Sequence, residues 1–177
     1  MKREVILYIA MSLDGSIAGE NDDLSFLEAA EYPGEDYGYE DFGKKVDTVI
    51  WGRKTYDKVR SFGIDFPHKD KKVYVLSNSR TGSDENAEYF SGDIRELIAA
   101  LRETDGKAIY IDGGAELVYE LMKHDLIDRY IISIIPALVG GGIRLFKGGT
   151  PAAKLKMVKS SVFPSGVVQV HYLKSSE

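Results

Sequence analysis

Two glycine-bearing stretches, each standing where an apolar run gives way to an amphipathic one, carry residue types suited to phosphate. Gly52-Arg53-Lys54-Thr55 follows the apolar run Thr48-Val49-Ile50-Trp51. A glycine there lets a ligand approach the main chain. The helix that follows offers free N–H groups and a positive dipole end, and Arg53 and Lys54 supply countercharge. A monophosphate such as the 2′-phosphate of NADPH suits that group. Gly113-Gly114-Ala115 follows Ala108-Ile109-Tyr110-Ile111-Asp112 and lacks side chains where a pyrophosphate would rest on a helix N-terminus. Each stretch also has a plainer reading: Gly-Gly permits a tight turn, and basic residues in a first helical turn are ordinarily solvated. A third strand end, Leu76-Ser77-Asn78-Ser79-Arg80, offers hydroxyls and a guanidinium to an adenosine. Ligands of open α/β sheets bind beyond the carboxyl ends of the strands, so all three groups are expected to converge there. Asp14, beside Gly15 at the end of the first strand, either hydrogen-bonds a polar substrate in that cleft or closes an Asp-Gly turn.

The elements that must position these residues follow from hydrophobic periodicity. Glu4 to Met11 is aliphatic without clean alternation, the pattern of a strand covered on both faces. The punctuated acidic stretch from Gly19 to Gly38 predicts a long loop broken by a short helix near Phe26. A helix over Tyr39 to Lys45 leads into the strand Thr48–Trp51, and Arg53 to Phe62 is helical again. Val73 to Ser77 is a strand followed by a polar loop. Asp93-Ile94-Arg95-Glu96 has the form of a capping box, with Ile94, Leu97, Ile98 and Leu101 on one helical face and Gly106 as the stop. The strand Ala108–Asp112 leads to a helix from Ala115 to His124. Arg129 to Ile135 is a strand closed by Pro136, and Lys154–Val162 with Val167–Leu173 alternate as a hairpin about Pro164-Ser165-Gly166. The expected architecture is a three-layer α/β/α fold, its central sheet mostly parallel with an antiparallel C-terminal hairpin.

Composition narrows the function classes. The 177 residues fit one domain spanning 1–177. Acidic residues outnumber basic ones, 28 to 23, so no basic footprint exists for a nucleic-acid backbone or an anionic membrane surface. No cysteine is present, which removes disulfides, thiolate metal sites and cysteine nucleophiles and suits the cytoplasm. His68, His124 and His171 lack metal-ligand spacing and read as ordinary surface or strand residues. Val5 to Met11 is too short, and too closely preceded by Glu4, for a signal peptide, and no apolar stretch reaches bilayer length.

Met11-Ser12-Leu13-Asp14-Gly15, Gly52-Arg53-Lys54-Thr55-Tyr56, Leu76-Ser77, Gly113-Gly114-Ala115-Glu116-Leu117, Leu126-Ile127-Asp128, Pro136 and Gly140-Gly141-Gly142 occur in that order. As a set they resemble the reductase domain of the riboflavin pathway, within the dihydrofolate reductase superfamily. The resemblance implies NADPH, with Arg53, Lys54 and Thr55 toward the adenosine phosphates and Leu76 and Ser77 near the adenine ribose. It also puts Gly113 to Glu116 under the pyrophosphate and Ala10 facing the nicotinamide. It implies hydride transfer to a small polar substrate, a pyrimidine, pterin or ribosylamine such as 5-amino-6-(5-phosphoribosylamino)uracil. Pairing as a homodimer through the late strands is implied too, for which Ile131 to Leu138 is either an interface or a plain core strand.

The departures from that pattern bear on the substrate. Folate reductases carry a Trp in the loop after the first strand, and the corresponding Asn21-Asp22-Asp23-Leu24-Ser25-Phe26 has none. Asp36 and Glu40 lie where the folate enzymes place a substrate-gripping carboxylate, but acidic residues crowd that segment and a solvated face is the alternative. The bifunctional riboflavin enzymes add a zinc deaminase built on His-x-Glu and Cys-x-x-Cys, which a cysteine-free chain cannot assemble. Bound water and the carboxyls of Asp14, Asp36 and Glu40 are the candidate proton donors. A folate reductase proper and a non-catalytic NADPH-binding module are the rival readings.

Overall fold

In the computed structural model, which describes residues 2–175, the aliphatic runs form strands because β-branched residues pack well on a pleated surface. In chain order they are β1 (Val5–Ser12), β2 (Ser16–Ala18), β3 (Val46–Gly52), β4 (Lys72–Leu76), β5 (Gly82–Ser83) and β6 (Glu88–Phe90). After these come β7 (Ala108–Gly113), β8 (Arg129–Ile135), β9 (Ile143–Arg144), β10 (Leu155–Val162) and β11 (Val168–Lys174). The helices are α1 (Tyr39–Gly43), α2 (Arg53–Ser61), α3 (Ile94–Glu103) and α4 (Ala115–Lys123). Short 3-10 segments cover Glu20–Asp22 and Ser25–Ala30 in the long loop after β2.

Among the described residues, nine strands form one sheet in the order β10-β11-β8-β1-β7-β3-β4-β6-β5. Its centre is parallel, from β8 through β1, β7, β3 and β4 to β6, and the C-terminal hairpin adds β11 and β10 antiparallel to β8. The expected layering is therefore what the structure has. Side-chain alternation builds a core on each face. Val5, Leu7, Ile50, Ile109 and Ile111 meet Leu97, Ile98, Leu117 and Leu121 of α3 and α4. Ile6, Tyr8, Val49, Trp51 and Tyr110 meet Phe42 of α1 and Tyr56 of α2 on the other face.

Several expectations are refined. The polar loop expected after β4 contains β5 and β6, because pairing Tyr74–Leu76 with Glu88–Phe90 turns a three-residue stretch, too short to carry a period, into a strand. The capping box is half formed: the Asp93 carboxylate accepts from Arg95 N at 2.8 Å. Ile131 to Ile135 is a core strand lying between β1 and β11, and beyond it Pro136 and Leu138 are exposed, Leu138 at 73%. His68 corrects the reading of the histidines as surface or strand residues, since it is 3% exposed within the loop before β4. Its ring packs against Trp51 and Tyr110, a burial decided by contacts that no local pattern encodes.

Candidate active site and cofactor cleft

The chain leaves β3 through α2 on one face of the sheet and leaves β7 through α4 on the other. The neighbouring pair β7 and β3 is thus a topological switch point, where the carboxyl ends of an open sheet part to leave a crevice. Gly52 and Gly113-Gly114 stand on its two sides. Trp51 pairs with Gly113, and Gly52 pairs with Leu76, so the three strand ends singled out from the sequence lie next to one another.

The two glycine turns touch. A Cβ on Gly114 would come within 2.8 Å of Thr55 Oγ1, and one on Gly52 within 3.5 Å of Gly114 N. A side chain at 114 would force the Thr55 hydroxyl to shift, so the close approach favours glycine there. The Gly113–Gly114 peptide is cis. Both helices starting here, α2 and α4, lack a side-chain cap, whereas α3 is capped by Asp93 away from the crevice. Two helix N-termini thus open side by side into one cleft with first-turn N–H groups that no capping side chain occupies, a donor set suited to phosphate oxygens. The chain's residues fit a phosphorylated dinucleotide at this place.

Around the cleft the basic residues form a network. Arg80 clasps Asp57 with two bonds, 2.6 and 3.1 Å, and Arg53 reaches the same carboxylate at 3.0 Å. Asp57 therefore steadies two guanidiniums, while Lys54 is exposed and in no ion pair among the described residues. The Ser77 hydroxyl accepts from Arg80 N at 3.0 Å and so shapes the turn, with Asn78 exposed at its tip and Leu76 partly covered. Glu116, in the first turn of α4, pairs with Lys147, whose ammonium also lies 4.2 Å from the Tyr119 ring centre. Lys147 escaped the sequence reading because its neighbours Gly148 and Gly149 look like any loop.

Directly beyond Asp112, on the α1 face of the sheet, lies a cavity of about 310 Å³. Ala10, Tyr8, Tyr110, Asp112 and Ser133 rise into it from β1, β7 and β8, and Leu27, Ala30, Asp36 and Tyr37 of the long loop close it together with Tyr39 at the start of α1. Asp112 Oδ1 accepts from the Tyr110 hydroxyl at 2.6 Å, and Oδ2 lies 3.1 Å from His68 Nε2. Burial first, and the Asp112 charge second, push the Tyr110 phenol well up. Burial raises Tyr39 and Tyr8 in the same direction, so all three phenols stay protonated at neutral pH. At the far end Tyr8 donates to the Tyr37 carbonyl at 2.9 Å, and Gln169 Nε2 reaches Tyr8 and Ser133 at 3.1 Å each. Tyr37 in turn bonds Ser165 of the hairpin turn at 2.8 Å and stands edge-on to Phe163, pinning the wall of the cavity to β10 and β11.

The three carboxylates singled out from the sequence take different places. Asp14 accepts from Ser12 Oγ at 2.5 Å and from the amides of Val139 and Gly140 at 3.1 and 2.8 Å. The Ser12 hydroxyl, then those two amides, hold its pKa at about 2. It fastens the end of β1 to the Gly140-Gly141-Gly142 loop and does not border the cavity. Asp36 does border it, yet its oxygens accept from Gly38 N and Glu40 N, both at 2.9 Å, and those amides lower its pKa. Glu40 is exposed and pairs with Lys44 at 3.3 Å, outside the cavity lining. Asp112, which brings Tyr110 and His68 together, was missed. The signal available was a lone carboxylate ending an apolar strand directly before Gly113-Gly114.

Comparison with known proteins shows the family and the fold. The model of the RibD C-terminal domain matches residues 3–169. The uncharacterized protein YwjB of Bacillus subtilis (strain 168) is 42% identical over 177 residues, covering 99% of this chain and 100% of that protein. A crystal structure from Shewanella sp. PV-4, of a protein designated for riboflavin biosynthesis, is 33% identical with a TM-score of 0.89, and 99% of each chain is covered. Dihydrofolate reductase from Enterococcus faecalis, complexed with NADP(H), is 15% identical with a TM-score of 0.70, covering 99% of this chain and 100% of that one, a likeness of fold. With its dihydrofolate-reductase-like fold and a family match over nearly its whole length, the chain belongs to the RibD C-terminal domain family.

Proposed function

We propose that the protein is an NADPH-dependent reductase acting on a small polar ring compound of pyrimidine or pterin type. The observation that carries this reading is the pair of helix N-termini without side-chain caps, meeting across Gly52 and Gly114 at the switch point, next to an aromatic cavity of about 310 Å³. Gly113, Gly114, Ala115 and Glu116, with Lys147, would border the pyrophosphate. Gly52, Arg53, Lys54 and Thr55 would meet the adenosine phosphate, and Leu76, Ser77 and Asn78 would flank the adenosine. Ala10 has the small side chain that lets a flat ring lie on the end of β1.

Bound there, NADPH supplies a hydride to the electrophilic carbon of a C=N or C=O bond, whose heteroatom takes up one proton as NADP+ forms. The chain's own work is alignment and exclusion of bulk water, apart from what delivers the proton. Tyr8, Tyr39 and Tyr110 wall the ring, and Asp112, steadied by Tyr110 and His68, accepts a hydrogen bond from it. With Asp36 engaged by two amides and Asp14 by three donors, proton delivery falls to water admitted beside Asp112. Calorimetry of NADPH binding, followed by NADPH oxidation assayed with pyrimidine and pterin substrates, tests the reading. A chain that binds no NADPH refutes it, and one that binds without oxidising it is a binding module instead.

Two copies are proposed to pair through β10, an edge strand exposing Leu155, Met157, Val158 and Val162. Apolar side chains on an unprotected edge invite a partner. Analytical ultracentrifugation should find a dimer that Met157→Glu with Val158→Lys converts to monomer, and a monomeric unaltered chain would end the proposal.

A further inference from the structure

The cavity has a charge pattern that bears on what enters it. Its lining includes the carboxylates Asp36 and Asp112 and the phenols of Tyr8, Tyr37, Tyr39 and Tyr110, with no lysine, arginine or histidine among the lining residues. The long loop that closes it deepens that bias, for residues 20–41 contain nine aspartates and glutamates and no lysine or arginine. Lys44, just beyond, is engaged by Glu40 and Asp41 at 3.3 and 3.0 Å. The guanidiniums of Arg53 and Arg80 belong to the other side of the crevice, where Asp57 holds them.

Asp112 still has acceptor capacity. A carboxylate offers about four lone-pair sites, and Tyr110 and His68 take one on each oxygen. Its side chain is 25% exposed, toward the cavity it lines. An N–H edge or an amidinium meets such a carboxylate favourably, and aromatic walls favour a flat, electron-poor or cationic ring. A phosphate meets the opposite: two carboxylates in a partly desolvated space, an acidic loop at the mouth, and no cation to pair with.

We propose that the substrate is an unphosphorylated, planar nitrogen heterocycle whose N–H edge is held by Asp112 among Tyr8, Tyr39 and Tyr110, and that phosphoribosylated pyrimidines are rejected. This rests on the reductase reading and narrows it. The hydride then goes to a ring C=N carbon, and the ring nitrogen gains the proton as NADPH becomes NADP+.

Calorimetry of the full chain saturated with NADP+ tests the inference, with 2,4-diaminopyrimidine, uridine and uridine 5′-monophosphate as probes. The diamine should bind, and Asp112→Asn should weaken it about tenfold or more while leaving NADP+ affinity unchanged. Uridine 5′-monophosphate should bind about tenfold or more weakly than uridine. Should Asp112→Asn fail to fold, the comparison of the two uridines in the unaltered chain decides. Equal or tighter binding of the phosphorylated member, or an Asp112→Asn protein with undiminished affinity for the diamine, overturns the inference and leaves the reductase reading standing. Failure of the unaltered chain to bind NADP+ overturns that reading, and the inference falls with it.

Discussion

The two halves of the cleft are built from different materials. On the β3 side the walls are main chain: glycine turns in contact, two helix starts without side-chain caps and a rim of Arg53, Lys54 and Arg80. On the β8 side they are side chains: tyrosines, Asp112, Asp36 and an acidic loop. One half is basic and the other acidic, and they adjoin where Asp112 gives way to Gly113. On the proposed reading, a phosphate-rich cofactor and a phosphate-free ring would share one crevice without exchanging places, because each half would repel what the other attracts.

The sharpest way to break this division is to fill the main-chain half. Gly114→Val places carbon against Thr55 Oγ1, and NADPH affinity should drop about 100-fold or more while 2,4-diaminopyrimidine binding survives. Fluorescence titration of NADPH reads this, and unchanged affinity would mean that the turn is only a turn.

Next in size, Arg53→Ala with Lys54→Ala should weaken NADPH roughly 10- to 100-fold and NADH far less, since only the former carries the extra phosphate. The salt dependence of NADPH binding should flatten in the same variant. If both nucleotides weaken equally, the basic rim serves the pyrophosphate or the fold.

His68→Ala sharpens the other half. It strips a buried partner from Asp112 and should cost about 1–3 kcal/mol of stability by chemical denaturation. Substrate KM should rise while NADPH affinity holds, and His68→Gln should restore part of it. A uniform loss of both affinities would make His68 a packing residue alone.

Smallest is the effect of acid on the latch between β1 and the Gly140 loop. The folded-state pKa of Asp14, about 2, lies below the ordinary carboxylate value of about 3.9, so its contribution is complete above roughly pH 4 and is lost as pH falls toward 2. Asp14→Asn should flatten the acid limb of the stability curve in that window, measured by denaturant melts. A limb of unchanged slope would show the latch to be idle.

Legibility in the sequence followed range of interaction. The glycine turns of the β3 side were readable because glycine, the basic pair and the following amphipathic run are neighbours in the chain, and their pattern is that of a strand turning into a helix. Strand and helix order was readable for the same reason, through periodicity in Val5 to Met11 or Ile94 to Leu101. The short β5 and β6 were not, since three residues such as Glu88-Tyr89-Phe90 become a strand only beside β4.

Sequence alone thus determined the alternation of strands and helices, the glycine turns and the acidic character of the loop after β2, all of which are properties of contiguous residues. Tertiary structure alone decided that Asp112 is the central carboxylate of the cavity, that Asp14 is a latch and that Glu40 faces solvent. The physical reason is that a carboxylate's role depends on which donors surround it, and those of Asp112 come from β7 and a loop 44 residues away along the chain. Only folding sets such partners side by side.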